Sequence, residues 1–135
     1  MAYNIEDIEG IGPAYAEKLA KTKIQTTDDL LSLCCDPAGR KKVAETTGLS
    51  ETHLLKWTNL ADLMRINGVG PQFSELLEGA GVDTVKELRN RNHENLAAKM
   101  EEVNNEKHLA KASPPPGTMQ KWIEEAKSLD PKITY

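Results

Sequence analysis

Aromatic side chains are scarce in this chain: one Phe, two Trp and three Tyr among 135 residues. A core with so few rings must rest on Leu, Ile, Val, Met and Ala. Cysteine is scarcer still. Cys34 and Cys35 are neighbours, which excludes a framework of disulfides and leaves no CxxC spacing for zinc or redox chemistry. Buried thiols are their expected state. No apolar run approaches the roughly 20 residues that a membrane-crossing helix needs, and no basic leader or lipidation signal stands near Met1. A soluble, cytoplasmic protein without membrane association is the expectation.

Excess positive charge is also missing. Lys and Arg number 17 against 21 Asp and Glu, a formal net charge of −4. Residues 1–58 carry seven basic against nine acidic side chains, and residues 59–135 carry ten against twelve. Neither half is a basic module hidden in an acidic chain. His53, His93 and His108 are far apart and show no metal-ligand spacing. No serine has a nearby His/Asp pattern, and no strand-rich segment precedes a glycine loop, as a phosphate-binding or dinucleotide loop requires. A non-enzyme without catalytic residues, cofactor or metal is expected.

What the chain does contain, it contains twice. IEDIEGIGPAYAEKLAKTKIQTTDDL at 5–30 returns as LMRINGVGPQFSELLEGAGVDTVKEL at 63–88. The offset of 58 residues holds through Gly10/Gly68, Gly12/Gly70, Pro13/Pro71, Leu19/Leu77, Ile24/Val82 and Leu30/Leu88. Glycines allow a tight backbone path and close approach of a neighbour. The proline after them suits the first turn of a helix, where its missing N–H costs least. Ala16 and Leu19, or Phe73, Leu76 and Leu77, then give one apolar face at helical spacing. Thr26 or Thr27, and Asp83 or Thr84, read as the next N-caps, with Glu87 placed to complete a capping box. Each copy is thus expected as helix, glycine hairpin, helix, turn, helix.

Around these units, Met1–Asn4 reads as a short lead-in and Cys34–Gly39 as a connector broken by Asp36-Pro37. A short helix is predicted over Arg40–Thr46, ended by Gly48. From Ser50 an apolar stripe through Leu54, Trp57, Leu60 and Leu63 predicts a helix over about 51–66, shared by both halves. Another helix should begin at His93. Ser113–Gly117 is the one obvious non-helical linker, and the last helix spans about Thr118–Leu129, with Ile133–Tyr135 folding back. Trp57 and Trp122 occupy matching places, and core packing between the halves is their expected role. A single half lies near the lower limit for a self-sufficient core. One compact, pseudo-twofold all-α domain is expected, with halves 1–58 and 59–135.

The paired Gly-aliphatic-Gly-Pro segments resemble the helix-hairpin-helix family in its tandem form. Through GIGPAYAEKL, ADLMRINGVGP and AGVDTVKELRNRNHENLAAKM, nearly the whole chain is similar to the DUF4332 family of small bacterial proteins. That resemblance implies the fold and carries almost no biochemical role. In DNA-binding members of the helix-hairpin-helix family, backbone N–H groups of the hairpin meet a phosphate, often with a nearby Lys or Arg. Carried over, the donors are Gly10, Ile11, Gly12 and Ala14, then Gly68, Val69, Gly70 and Gln72, with Lys18, Arg65 and Asn67 in support.

The physics of such a site is sound, but charge opposes it. Glu6, Asp7, Glu9 and Glu17 crowd the first hairpin, and Ala14 and Gln72 stand where a basic residue would follow Gly-Pro. Non-specific DNA affinity is mostly phosphate neutralisation by Lys and Arg. Arg40-Lys41-Lys42 and the group Lys86, Arg89 and Arg91 read as solvated faces unless they converge. Two readings follow. The first is a non-catalytic binding or scaffold protein with an unidentified protein partner. The alternative is weak, sequence-independent DNA or RNA binding through Gly68–Gly70 with Arg65. A protein interface needs an uncovered apolar patch, whereas a nucleic-acid site needs free N–H groups and positive potential.

Overall fold

The computed structural model describes residues 3–135. Of the short lead-in expected at Met1–Asn4, Met1 and Ala2 lie outside the described residues. Every long element among the rest is helical: α1 (Pro13–Ala20), α2 (Thr27–Cys34), α3 (Pro37–Thr47), α4 (Glu51–Leu63), α5 (Pro71–Gly79), α6 (Val85–Leu88), α7 (His93–Lys107) and α8 (Pro116–Ser128). The chain is all-α, as its periodicity predicts. With the sequence repeat laid over it, α1–α4 correspond in order to α5–α8.

Local signals account for most boundaries. Pro13 and Pro71 each occupy the first helical position after a glycine N-cap. Thr26 closes a full capping box: its hydroxyl accepts from Asp29 N–H at 3.1 Å, and the Asp29 carboxylate accepts from Thr26 N–H at 3.1 Å. That carboxylate also accepts from Gln25 N–H, and these backbone donors hold its pKa below the usual carboxylate range. The box expected in the second copy does not close. Thr84 accepts from Glu87 N–H at 3.4 Å, but the Glu87 carboxylate turns to Arg91 at 2.9 Å.

Several expected boundaries move. Asp36-Pro37 starts a helix instead of breaking one, because Asp36 caps Gly39 N–H at 2.7 Å and Pro37 takes the first helical position. The shared helix ends at Leu63, three residues before the expected 66, with Met64 as its C-cap. No helix opens the first copy. Ile5–Asp7 forms only a 3-10 turn, since the chain before it pairs with the chain entering α2: Ile5 N–H donates to Gln25 O at 3.0 Å and Thr27 N–H to Tyr3 O at 2.9 Å.

The second copy opens on the end of α4, where the chain is helical and does not run extended beside the segment that enters α6. There the Asp62 carboxylate replaces the missing backbone acceptor, taking Val85 N–H at 2.9 Å. Arg65 Nη1 donates to the other Asp62 oxygen at 2.8 Å.

The buried side chains form two clusters. One gathers Ile8, Leu19, Ile24, Leu30, Leu54 and Trp57 of the first copy; the other gathers Ile66, Leu76, Leu77, Leu88, Met100 and Trp122 of the second. α4 feeds both, with Leu60 in the first and Leu63 in the second. The tryptophans therefore pack inside their own copies and not between them. The copies meet where α4 lies on α5, and the segment after α8 returns to α2 and α3.

Candidate functional site

The two glycine turns share one geometry. Gly10 and Gly68 sit at φ +94° and +90°, in the left-handed region that side-chain-bearing residues rarely adopt. A Cβ on Gly10 would stand 3.5 Å from Trp57 Nε1, and one on Gly68 would stand 3.3 Å from Trp122 Nε1. Each tryptophan also packs, with ring centroids 5.4 Å apart, against the aromatic side chain that follows the turn's proline by two residues, Tyr15 or Phe73. The positive φ favours glycine at both positions, and at Gly68 the indole adds a tight contact, whereas at Gly10 it would meet a Cβ at ordinary distance.

Of the expected backbone donors, two are engaged inside the turns. Ile11 N–H donates to Ile8 O and Val69 N–H to Ile66 O, each at 3.1 Å, and both side chains are buried. Asn67 N–H faces both oxygens of the Glu125 carboxylate at 3.2 Å. Arg65, the cation expected to support the second turn, is tied to the buried Asp62 and donates to Asp130 O at 3.0 Å. Among the described residues, no acceptor pairs with the N–H groups of Gly10, Gly12, Ala14, Gly68, Gly70 or Gln72.

The surroundings of these six donors differ. Beside the first turn lies an open cleft of about 480 Å³ lined in part by Glu6, Asp7 and Glu17, with the exposed Lys18 as the expected counter-charge. Beside the second, the Tyr3 hydroxyl comes within 3.8 Å of where a Gly70 Cβ would stand. The first turn thus stands beside an acidic cleft that its Pro13 helps to line, and the second has the Glu125 carboxylate on Asn67 N–H.

Other charged residues also fall differently from expectation. Arg40 does not lie on a solvated face with Lys41 and Lys42; it is 5% exposed and donates to Cys34 O at 3.0 Å and Thr134 O at 2.7 Å. Glu75 is half-buried against α4, and one of its carboxylate oxygens is buried without a donor. Burial first, then Glu78 beside it, raises the Glu75 pKa. Cys34 is buried, which pushes its thiol up to about 11. His53 is exposed and stacks on Trp57, with ring centroids 5.6 Å apart. Among the described residues no group of three His, Cys, Asp or Glu side chains gathers at metal-binding distance, and no helix is long and apolar enough to cross a membrane.

One surface was not singled out from the sequence. The end of α1, α2 and α3 enclose a predominantly apolar groove of about 560 Å³, with Leu33 and Val43 on its walls and Lys21 and Lys42 at its edge. Leu33 is 43% exposed. The signal was present: Leu30, Leu31 and Cys34 form the buried face of α2, and Leu33 falls outside it. In the second copy the place of Leu33 is taken by Arg91, which is bound to Glu87 and to Gly81 O at 2.8 Å. The place of Lys21 is taken by Gly79, where a Cβ would stand 2.9 Å from Val103 Cγ1. There α5 packs closely on α7.

Comparison with curated proteins and with solved structures finds no match to this chain. A family model described as a domain of unknown function, DUF4332, matches residues 9–129, and the chain belongs to that family.

Proposed function

We propose that this chain is a non-catalytic binding protein, built on two tandem helix-hairpin-helix units, that docks a segment of a protein partner into the groove of its first copy. The observation that carries this reading is Leu33, a large apolar side chain left exposed beside Val43 in an apolar groove. Exposed apolar surface gathered in a groove is the usual mark of a contact surface. Lys21 and Lys42 line it with one carboxylate, Asp36, which is engaged by Gly39 N–H, and this balance favours a partner segment with an apolar face flanked by carboxylates. A cytoplasmic setting belongs to the same reading.

The alternative, DNA or RNA held by the Gly68–Gly70 turn, loses support from the pairing of Arg65 with Asp62 and of Asn67 N–H with Glu125. Phosphate binding there would have to displace or outcompete these internal partners.

The test uses the native chain and Leu33→Glu as baits in extract of the source cells, with Glu102→Lys as a distant surface control. Proteins retained by the native chain and the control but lost with Leu33→Glu are the expected result. Equal retention by all three would remove the groove from consideration. A parallel titration with labelled duplex and single-stranded DNA should give no saturable binding at near-physiological salt. Saturable binding that falls steeply with salt would favour the nucleic-acid alternative.

A further inference from the structure

The contact of α4 with α5, where the copies meet, carries a row of polar side chains. Lys56 Nζ lies 3.7 Å from Glu78 Oε1 across it. The two helices are neighbours joined by residues 64–70, so the chain returns along its own path and one turn forward on α4 answers one turn back on α5. Asn59 stands one turn beyond Lys56, and Glu75 one turn before Glu78. That register sets Asn59 opposite Glu75.

Both residues are half-buried. Asn59 Oδ1 and Glu75 Oε1 are also the two buried side-chain oxygens that no protein donor reaches among the described residues. Two acceptors opposed in a buried place forfeit hydrogen bonds that each had in water. Four charged groups act on Glu75: Glu78 on its own helix, Lys56 on α4, Glu9 in the first glycine turn and Lys107 at the end of α7. Two anions and two cations leave no excess positive charge to hold the carboxylate ionised, and Lys56 is already drawn to Glu78. Burial therefore decides, and it favours the neutral acid.

We propose that Glu75 and Asn59 form a proton-operated clasp between the copies, in which the neutral Glu75 carboxyl donates its O–H to Asn59 Oδ1 and closes α5 on α4. One proton then gives the amide oxygen its donor and relieves Glu75 of its need for one. When the proton leaves, two acceptors oppose each other, the carboxylate must draw water into the contact, and α5 loosens on α4. The clasp is thus closed at low pH and lost as pH rises through the Glu75 titration in the folded chain. It is separate from the Leu33 groove, and either can fail without the other.

The first test needs no variant. In carbon-detected spectra of the native chain from pH of about 3 to about 8, the Glu75 carboxyl and the Asn59 side-chain carbonyl should titrate with one midpoint. An Asn59 carbonyl that does not follow Glu75 would overturn the proposal. Amide exchange reads the loosening. Protection of the Leu76 and Leu77 amides, corrected for intrinsic rates, should fall at least about threefold in the native chain as Glu75 ionises. In Glu75→Gln, whose amide is a permanent donor, protection should stay level with pH. Equal falls in the two chains would also overturn the clasp. Asn59→Ala removes the acceptor and should lower the Glu75 midpoint. A midpoint unchanged or raised in that variant would mean that water or the Asn59 N–H serves the carboxylate, and the clasp would be wrong. If Asn59→Ala loses its helical circular dichroism, the shared titration in the native chain decides.

Discussion

The two copies place a tryptophan over the same glycine, at nearly the same distance, and then diverge in almost everything that faces outward. In the first copy the turn follows a short extended stretch that pairs with the chain before α2. In the second it follows α4, so a carboxylate, Asp62, supplies the acceptor that the backbone no longer has. The first copy leaves Leu33 exposed beside a groove, whereas the second puts Arg91 in that position and closes α5 on α7. Turn, indole and inner helix faces form a framework that must repeat for each cluster to pack. The outer positions are free to differ, and the features with binding potential lie there.

The largest expected effect tests the substitution of a side chain for a backbone acceptor. Asp62→Ala should lower stability in urea unfolding by roughly 3–5 kcal/mol, because it leaves Arg65 without its carboxylate and Val85 N–H buried without an acceptor. Asn4→Ala, at the matching and exposed position, should cost no more than about 1 kcal/mol. Similar losses at the two positions would break the contrast between the extended lead-in of the first copy and the helical lead-in of the second.

A smaller effect is expected after α1 and α5. Lys23 sits at φ +67°, and its counterpart Gly81 at φ +90°. Lys23→Gly should stabilise the chain by about 1 kcal/mol, and Gly81→Lys should destabilise it by a similar amount. Thermal unfolding of the two variants would measure both. A neutral Gly81→Lys would mean that the left-handed turn is not what distinguishes these positions.

The smallest effect concerns Glu75, half-buried where the first copy has the exposed Glu17. Its folded pKa is raised, chiefly by burial. Its stabilising contribution is therefore fully present below the unfolded value, about 4.3, and is lost as pH rises through the folded value. Glu75→Gln should reduce the fall in Tm that the native chain shows as pH rises from about 4 to 7. An unchanged fall would assign that dependence to other groups.

Much of this architecture was legible because its causes are local. Gly-X-Gly-Pro, the Thr26–Asp29 box and the apolar spacing of Leu54, Trp57 and Leu60 act within a few residues of themselves. The errors arose where a local signal was outweighed by a partner elsewhere, or where it could be read two ways. Asp36-Pro37 has the composition of a break and forms a cap followed by a first helical residue. Ile5 and Ile8 have helical spacing, but the pairing of Tyr3 to Ile5 with Gln25 to Thr27 holds the lead-in extended. Leu33 could have been noticed as the apolar residue outside the buried face of α2, but its groove is made by three helices together.

The sequence alone determined the all-helical class, the 58-residue repeat, the places where glycine is needed and the aliphatic character of the core, because each follows from backbone conformation or from periodic burial. Only the tertiary structure decided which charges remain accessible. Arg65 and Arg40 are cations in any reading of the sequence, but Asp130 and Thr134 reach them from the far end of the chain, beside the nearby Asp62 and Cys34, and a charge so engaged is less free to meet a phosphate. Charge is a property of the residue; its availability is set by what the fold brings within about 3 Å of it.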